Sequence, residues 1–279
     1  MVGARTEERN ELPHIARTLR EHIVRSTTTA GSGHPSSSLS MVEILTILYF
    51  GGVLRYDPQT PDDPDRDRFI LSKGHGAPGL YSVLAEAGYF PTDDLSTLRK
   101  LGSPLEGHPN MCRLPGVEAS TGSLGQGLSI GVGHALAARL DGRAYRVFVM
   151  CGDGETEEGQ VWEAYMFAGN HGLDNLTVIV DRNRFQQTAA VDDVQPLDPL
   201  EAKIEAFGWE VRSIDGHDLD AVAAAFEWAR GIRGKPQAIV ANTVKGKGVA
   251  VLEATPEKWH GKPLPEDDEL EALQEIGVD

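Results

Sequence analysis

The sequence predicts an α/β fold: a doubly wound, mostly parallel sheet with helices on both faces. Three observations carry this. Two apolar runs, 145–151 and 176–180, read as buried strands. Between them, 159–171 places Val161, Trp162, Tyr165, Met166 and Ala168 on one helical face. The same strand–helix alternation then continues to residue 241, the pattern of crossover-linked parallel strands.

The elements follow in order. Helical periodicity opens over 13–28. A Gly/Ser-rich loop, 30–38, feeds a helix over 41–51. Residues 56–68 are rich in Pro and Asp and read as an exposed loop. Residues 68–72 form a short strand ending at Lys73-Gly-His75, and 79–87 a helix. Residues 106–121 are mostly loop. Residues 124–140 form a helix of small residues that allows close packing. After the central strand–helix–strand unit come a loop over 196–199, a helix over 200–207 and a strand over 210–214. A turn, Asp215-Gly-His-Asp218, offers Asp218 as a cap for a helix over 220–231. A strand over 237–241 closes the series. The tail beyond 265 is acidic and is expected to be loosely held. No internal repeat breaks the 279 residues, so 1–279 reads as one domain with a short acidic tail from about 265.

Composition narrows the function classes. A hydrophobic share of 40% supports a substantial core. A net charge of −16 argues against a nucleic-acid partner, whose binding needs a basic footprint. Cys112 and Cys151 lack metal-site spacing and make no disulfide framework. The charged first residues and the absence of a long apolar run point away from a membrane and towards the cytoplasm.

The chemistry concentrates at the strand ends. Gly152-Asp153-Gly154 follows the first apolar run, and Asp181-Arg182-Asn183 follows the second. In a parallel sheet both ends lie on the carboxyl edge, where open α/β sheets bind ligands. An ordinary phosphate loop keeps carboxylates away from the anion. A carboxylate beside a diphosphate therefore calls for a cation between them. Mg²⁺ suits this, since it is held by a few protein oxygens plus phosphate and water. Asp153, Asn183 and the Phe185 carbonyl would supply the protein side, and the glycines allow close backbone approach. Gly122-Ser-Leu-Gly-Gln-Gly127 has the wrong glycine spacing for a dinucleotide fingerprint.

The stretch from Gly152-Asp-Gly-Glu-Thr-Glu-Glu-Gly159 to Asp181-Arg-Asn-Arg-Phe185 resembles the thiamine-diphosphate motif. Nearly the whole chain after residue 12 resembles the amino-terminal domain of the transketolase family. Further blocks stand in family order: Gly33-His-Pro-Ser-Ser37, Asp67-Arg-Phe-Ile-Leu-Ser-Lys-Gly-His75, Gly107-His-Pro109, Ser120-Thr-Gly-Ser-Leu-Gly-Gln-Gly127, Val244-Lys-Gly-Lys-Gly248 and Trp259-His-Gly-Lys-Pro-Leu264. A single Asn183 stands where the general motif has two asparagines, a variation found among transketolases.

The resemblance implies the thiamine-diphosphate-binding fold in its diphosphate-type domain, with thiamine diphosphate and Mg²⁺ (or Ca²⁺ or Mn²⁺ in its place) as cofactors. It implies that His34, His75, His108 and His260 line the reacting end and serve proton transfer, with Lys73, Gln187 and Lys245 at active-site positions. His75 and His260 also belong to the cofactor pocket. Gly122, Ser123 and Leu124 would back the cofactor's middle ring. Ser37 and Lys245 would reach the substrate or the diphosphate. Gly152, Asp153, Gly154, Asn183 and Phe185 would hold the diphosphate and its metal. Glu158 matches a family carboxylate near the subunit interface.

The reaction so implied is ketol transfer: a ketose C2–C3 bond breaks, an aldose leaves, and a two-carbon unit joins a second aldose. Family transketolases are more than twice as long, and much of their pocket lies in a second domain. The expectation is therefore a split transketolase. This chain is then the amino-terminal subunit, paired with a carboxy-terminal, pyrimidine-binding subunit in a heterotetramer acting on sugars or sugar phosphates. The alternatives are another thiamine-enzyme subunit (1-deoxyxylulose-5-phosphate synthase-like or a 2-oxoacid dehydrogenase component) and a non-catalytic binding relative. The Lys-Gly-His75 and Trp-His260-Gly-Lys-Pro-Leu blocks fit transketolase better.

Overall fold

A computed structural model describes residues 6–187 and 189–278. The strands are β1 (Arg68–Leu71), β2 (Val147–Gly152), β3 (Leu176–Arg182), β4 (Phe185–Gln186), β5 (Ala189–Ala190), β6 (Glu210–Asp215) and β7 (Gln237–Asn242). The helices are α1 (Thr6–Ala30), α2 (Pro35–Leu39), α3 (Val42–Phe50), α4 (Ala77–Glu86), α5 (Gln126–Leu140), α6 (Gly159–Asn170), α7 (Val191–Val194), α8 (Leu200–Ala206), α9 (Leu219–Gly231), α10 (Ala250–Ala254) and α11 (Glu266–Glu275).

The central sheet has the order β1-β2-β3-β7-β6 and is parallel throughout. Its inner strands are apolar on both faces, as a doubly covered sheet requires. Phe148 and Met150 of β2 enter one core with Ile179 and Ile239; Val147, Val149 and Cys151 enter the other with Val178 and Val240. Residues of α1, α3, α4 and α9 build the first layer, and those of α5, α6 and α8 the second. Helices α5, α6 and α8, each leading into the next strand of the series β2, β3, β6, lie on one face, and the return to β7 puts α9 on the other. This is the consequence of a fixed crossover hand.

Five details depart from the sequence reading. Helix α1 runs through Pro13 from Thr6 rather than opening at 13; Pro13 lies on its exposed side while Leu12, Ala16, Leu19 and Ile23 form the buried stripe. The end of the expected 30–38 loop winds into α2, whose first position is a proline with φ already set for a helix. Helix α5 starts two residues late because Gly125 adopts φ 81°, a left-handed conformation. Strand β3 runs two residues past 180, since Asp181 and Arg182 stay in ladder with Ala241 and Asn242. The tail expected to be loose folds as α11, burying Ala272 and Leu273 in the first core. Its four leading acids face the positive end of that helix. Asp218 caps α9 as expected, accepting from Asp220 N at 2.9 Å and Ala221 N at 3.1 Å.

Candidate active site

The tips of β1, β2, β3 and β7 meet at the carboxyl edge, and a buried ion pair ties those of β1, β3 and β7 together. Lys73, just past β1, is 1% exposed and pairs with the fully buried Asp181 of β3. The same ammonium donates to Ser37 O of α2 at 2.7 Å. The Asp181 carboxylate also accepts from Ser40 Oγ at 2.6 Å and from Thr243 Oγ1 just past β7. Burial opposes the charge on Asp181, but Lys73 and these hydroxyls hold its pKa below the ordinary carboxylate range. A second hub is Glu155, 3% exposed. It accepts from Ser72 Oγ at 2.6 Å, Gly125 N at 2.9 Å and Gly152 N at 3.0 Å, joining β1, β2 and the start of α5. Sequence reasoning assigned no role to Asp181 or Glu155. The acid at a strand tip beside Asn183 was a signal for the first; the second had none.

Asp153 differs from both. It is 2% exposed and accepts only backbone N–H groups, from Gly154 at 2.9 Å and Arg184 at 2.6 Å, with no Lys or Arg ion pair among the described residues. Burial, then the neighbouring Asp181, pushes its pKa up to about 7. Asn183 donates weakly towards Asp181 and turns Oδ1 to the Phe185 N–H at 3.2 Å. These residues line one cavity of about 380 Å³ together with Ser37, Lys73, His75, Leu124, Gly152, Gly154, Glu158, Gln187 and His260. A shallower hollow of about 400 Å³ at Trp162, Leu197 and Phe207 is mainly apolar.

The four expected histidines converge. His34 lies 5.3 Å from His75, 5.3 Å from His260 and 6.3 Å from His108 between ring centroids; His75 and His260 are 5.0 Å apart. They come from four separate segments: the N-cap of α2, the turn after β1, the 106–121 loop and the stretch after α10. Burial is the main cause that lowers each pKa, seconded by neighbouring cations and imidazoles. His34 falls to about 4 and His260 to about 3, while His75 and His108 also move down. All four are therefore neutral at pH 7, able to accept at one nitrogen and donate at the other. His34 Nδ1 is buried with no hydrogen-bond partner among the described residues, a polar atom left free to meet a ligand.

Lys245, 2% exposed, joins the cluster from the segment after β7. Its Nζ lies 3.0 Å from His260 Nδ1. Burial, with Lys73 nearby, lowers its pKa to about 8. An ammonium can only donate, so His260 carries its proton on Nε2. Gly122, at φ 145°, packs under His108: a Cβ there would stand 2.8 Å from the ring. Ser123 is exposed between Gly122 and the cavity-lining Leu124. Gln187 and Glu158 are exposed at the cavity. Lys73 is placed at the site, but its ammonium is engaged by Asp181.

The residues of this wall fit a hard divalent cation: Asp153 brings a carboxylate without a basic partner, Asn183 a carboxamide and Phe185 a backbone carbonyl. The wall at Gly152 leaves room for a bulky anion, since a Cβ there would meet nothing nearer than 3.7 Å.

Comparison with known proteins agrees. Residues 12–279 match the family described as transketolase, thiamine diphosphate binding domain. The chain is 45% identical over 248 residues to the 6-deoxy-6-sulfo-D-fructose transketolase subunit SqwG of a Clostridium species, covering 89% of this chain and 90% of that one. It is 45% identical to one of the subunits of the apulose-4-phosphate transketolase of Actinobacillus succinogenes, covering 96% of both. It is 46% identical to transketolase-like protein 2 of Bos taurus but spans only 41% of its length. The transketolase structure of Campylobacter jejuni superposes with a TM-score of 0.91 at 35% identity, over 97% of this chain and 43% of that one. The fold, the clustered strand-tip residues and these matches agree: the chain belongs to the transketolase thiamine-diphosphate-binding domain family.

Proposed function

We propose that this chain is the amino-terminal subunit of a two-chain transketolase that moves a two-carbon ketol unit from a ketose, or its phosphate or sulfonate, to an aldose. The carrying observation is one cavity that joins Asp153, Asn183 and Phe185 to Ser37, His75 and His260. Two relatives named as transketolase subunits, matched over 90% and 96% of their lengths, support the two-chain reading. We read the assembly as a heterotetramer with a carboxy-terminal, pyrimidine-binding partner. The free thiols of Cys112 and Cys151 suit a reducing cytoplasm.

In this reading Asp153, Asn183 and the Phe185 carbonyl hold Mg²⁺, and Gly152 and Gly154 let the diphosphate approach the backbone. Gly122, Ser123 and Leu124 wall the cofactor, and Glu158 meets the partner side. Thiamine diphosphate, when bound, supplies a sink for the electron pair left by the breaking ketose C2–C3 bond. The imidazoles do the rest. Neutral His34, His75, His108 and His260 orient the sugar hydroxyls, and one takes the hydroxyl proton as the bond breaks and returns it to the acceptor. Lys73 positions rather than reacts, through Asp181.

The test is reconstitution with the carboxy-terminal partner, thiamine diphosphate and Mg²⁺. The mixture is assayed for aldose release and aldose-dependent ketol transfer, with pyruvate as the alternative donor. Transfer requiring both chains is the expected result. Turnover of pyruvate but not ketose would move the chain to another thiamine enzyme. No cofactor binding with the partner present would make it a non-catalytic relative.

A further inference from the structure

Glu43 is the anomaly of α3. It is the one charged residue in a helix otherwise built of Val, Ile, Leu, Thr, Tyr and Phe, and it is 7% exposed. Its carboxylate is fully engaged: Oε1 pairs with Arg20 of α1, and Oε2 lies 2.9 Å from His217 Nδ1. The ring's other nitrogen accepts the Val244 N–H at 2.8 Å. A backbone N–H can only donate, so Nε2 is the acceptor and Nδ1 carries the proton given to Glu43. Glu43 thus fixes the tautomer of His217, and His217 holds the backbone one residue before Lys245. The other end of the segment is held the same way, for Arg20 Nε donates to Lys247 O at 3.2 Å. Between these anchors Gly246 N donates to Ser36 O at 2.9 Å, and Lys245 reaches His260.

We propose that Glu43, His217 and Arg20 form a clamp that fixes the 244–248 segment and thereby keeps Lys245 on His260. The three are positioning residues, and the proposal rests on the functional reading above. A segment with glycines at 246 and 248, both at positive φ, has little stiffness of its own. One turn bond, Lys247 N to Val244 O at 3.2 Å, is its own, and Glu253 accepts from Gly248 N at 2.7 Å; the anchors at Val244 and Lys247 O both trace to the buried Glu43 carboxylate. Arranged this way, the clamp sets which nitrogen of His260 carries the proton.

Two side chains separate the functions of the ring. In His217→Asn the amide can replace Nδ1 as donor to Glu43 but leaves Val244 N–H without an acceptor. In His217→Gln the amide oxygen can stand where Nε2 stood. Limited trypsin digestion of the full chain reads the clamp directly, by cleavage after Lys245 and Lys247. His217→Asn is expected to raise that rate about tenfold with the melting temperature little changed, and His217→Gln to stay within about threefold of wild type. In the reconstituted two-chain enzyme, His217→Asn is expected to lower kcat/KM about tenfold. In a Lys245→Ala background the same change should cost nothing further, because the route to the chemistry is gone. Equal digestion of the Asn variant and wild type overturns the clamp. An undiminished His217→Asn cost in the Lys245→Ala background overturns its action through Lys245. A wild-type complex without ketol transfer would instead strike the functional reading, and the digestion result would still decide the clamp.

Discussion

Replacing Gly152 by alanine separates the fold from the cofactor site. Gly152 ends β2, lines the cavity and donates its N–H to Glu155. Its φ lies outside the left-handed range, and an added Cβ would meet Lys73 Cδ at 3.7 Å and Glu155 Cβ at 3.9 Å, both ordinary contacts. The protein alone therefore accepts the methyl, and the lost freedom of the unfolded chain favours the variant by roughly 0.4–1 kcal/mol. The situation is opposite at Gly131, where a Cβ would press into Val149 Cγ2 inside the core. A diphosphate lying against residue 152 meets the new methyl as overpacking, at about 1–3 kcal/mol. That is a rise in the thiamine diphosphate Kd of roughly 5- to 150-fold. The assay pairs urea unfolding of the chain with calorimetric titration of thiamine diphosphate into the two-chain complex with Mg²⁺. Wild-type affinity in Gly152→Ala would refute the placement of the diphosphate at this wall. A loss of stability above about 1 kcal/mol would refute the reading of open space.

The remaining predictions concern charge. Lys73→Met leaves Asp181 buried without its cation and should lower stability by about 3–5 kcal/mol in urea unfolding; a loss below about 1 kcal/mol would refute the pair's role as the tie between strand tips. His34, held near a pKa of about 4 by burial and then by His108, stays neutral in the native state while the unfolded chain takes up a proton below about 6.5. Stability at this position is therefore full above pH 6.5 and is lost as pH falls towards 4. Compared with His34→Gln, wild type should lose about 2 kcal/mol between pH 7 and 5, read from urea midpoints; parallel midpoints would contradict the buried neutral imidazole. Chelation by EDTA should abolish thiamine diphosphate binding to the two-chain complex, with Mg²⁺, Mn²⁺ or Ca²⁺ restoring it. Binding that survives EDTA would remove the metal role from Asp153 and Asn183.

The two inner strands were legible because burial on both faces writes apolar runs, as in 147–151 and 176–180, while the charged end of β3 at Asp181 and Arg182 was not. The convergence of His34, His75, His108 and His260 was legible only through motif order, since nothing local brings together four loops spread over 226 positions. The ion pair was not legible. Lys73 and Asp181 stand 108 residues apart, and although each lies at a strand tip, nothing in the sequence pairs them. Helix α11 was misread because an acidic run marks a solvated tail and a helix N-terminus equally well; the two buried residues that decide it come only after its second turn. The anchors of the 244–248 segment were not legible either, because Glu43 and His217 lie far away in sequence.

The same logic explains why so much charge is buried at one sheet edge. A buried ion pair rarely stabilises more than an apolar pair of similar volume, because desolvation offsets the attraction. Lys73–Asp181 is therefore better read as a device for position than for stability. It reaches from β1 to β3 and carries Ser37 and Ser40 of α2 and its C-cap, and Thr243 beyond β7, with it. Those contacts fix the backbone on which His34, His75 and Asn183 sit. The double variant Lys73→Met/Asp181→Leu tests this. It removes both charges, so no uncompensated ion remains, and its stability should return to within about 2 kcal/mol of wild type although Lys73→Met alone costs more. Affinity for thiamine diphosphate in the two-chain complex should nevertheless stay at least about tenfold weaker than wild type, because the strand tips have lost the contacts that orient the site. If the double variant binds the cofactor normally, packing alone holds the site and the ion pair is incidental. If it fails to recover stability, the pair is part of what holds the fold together, and its cost has been overestimated.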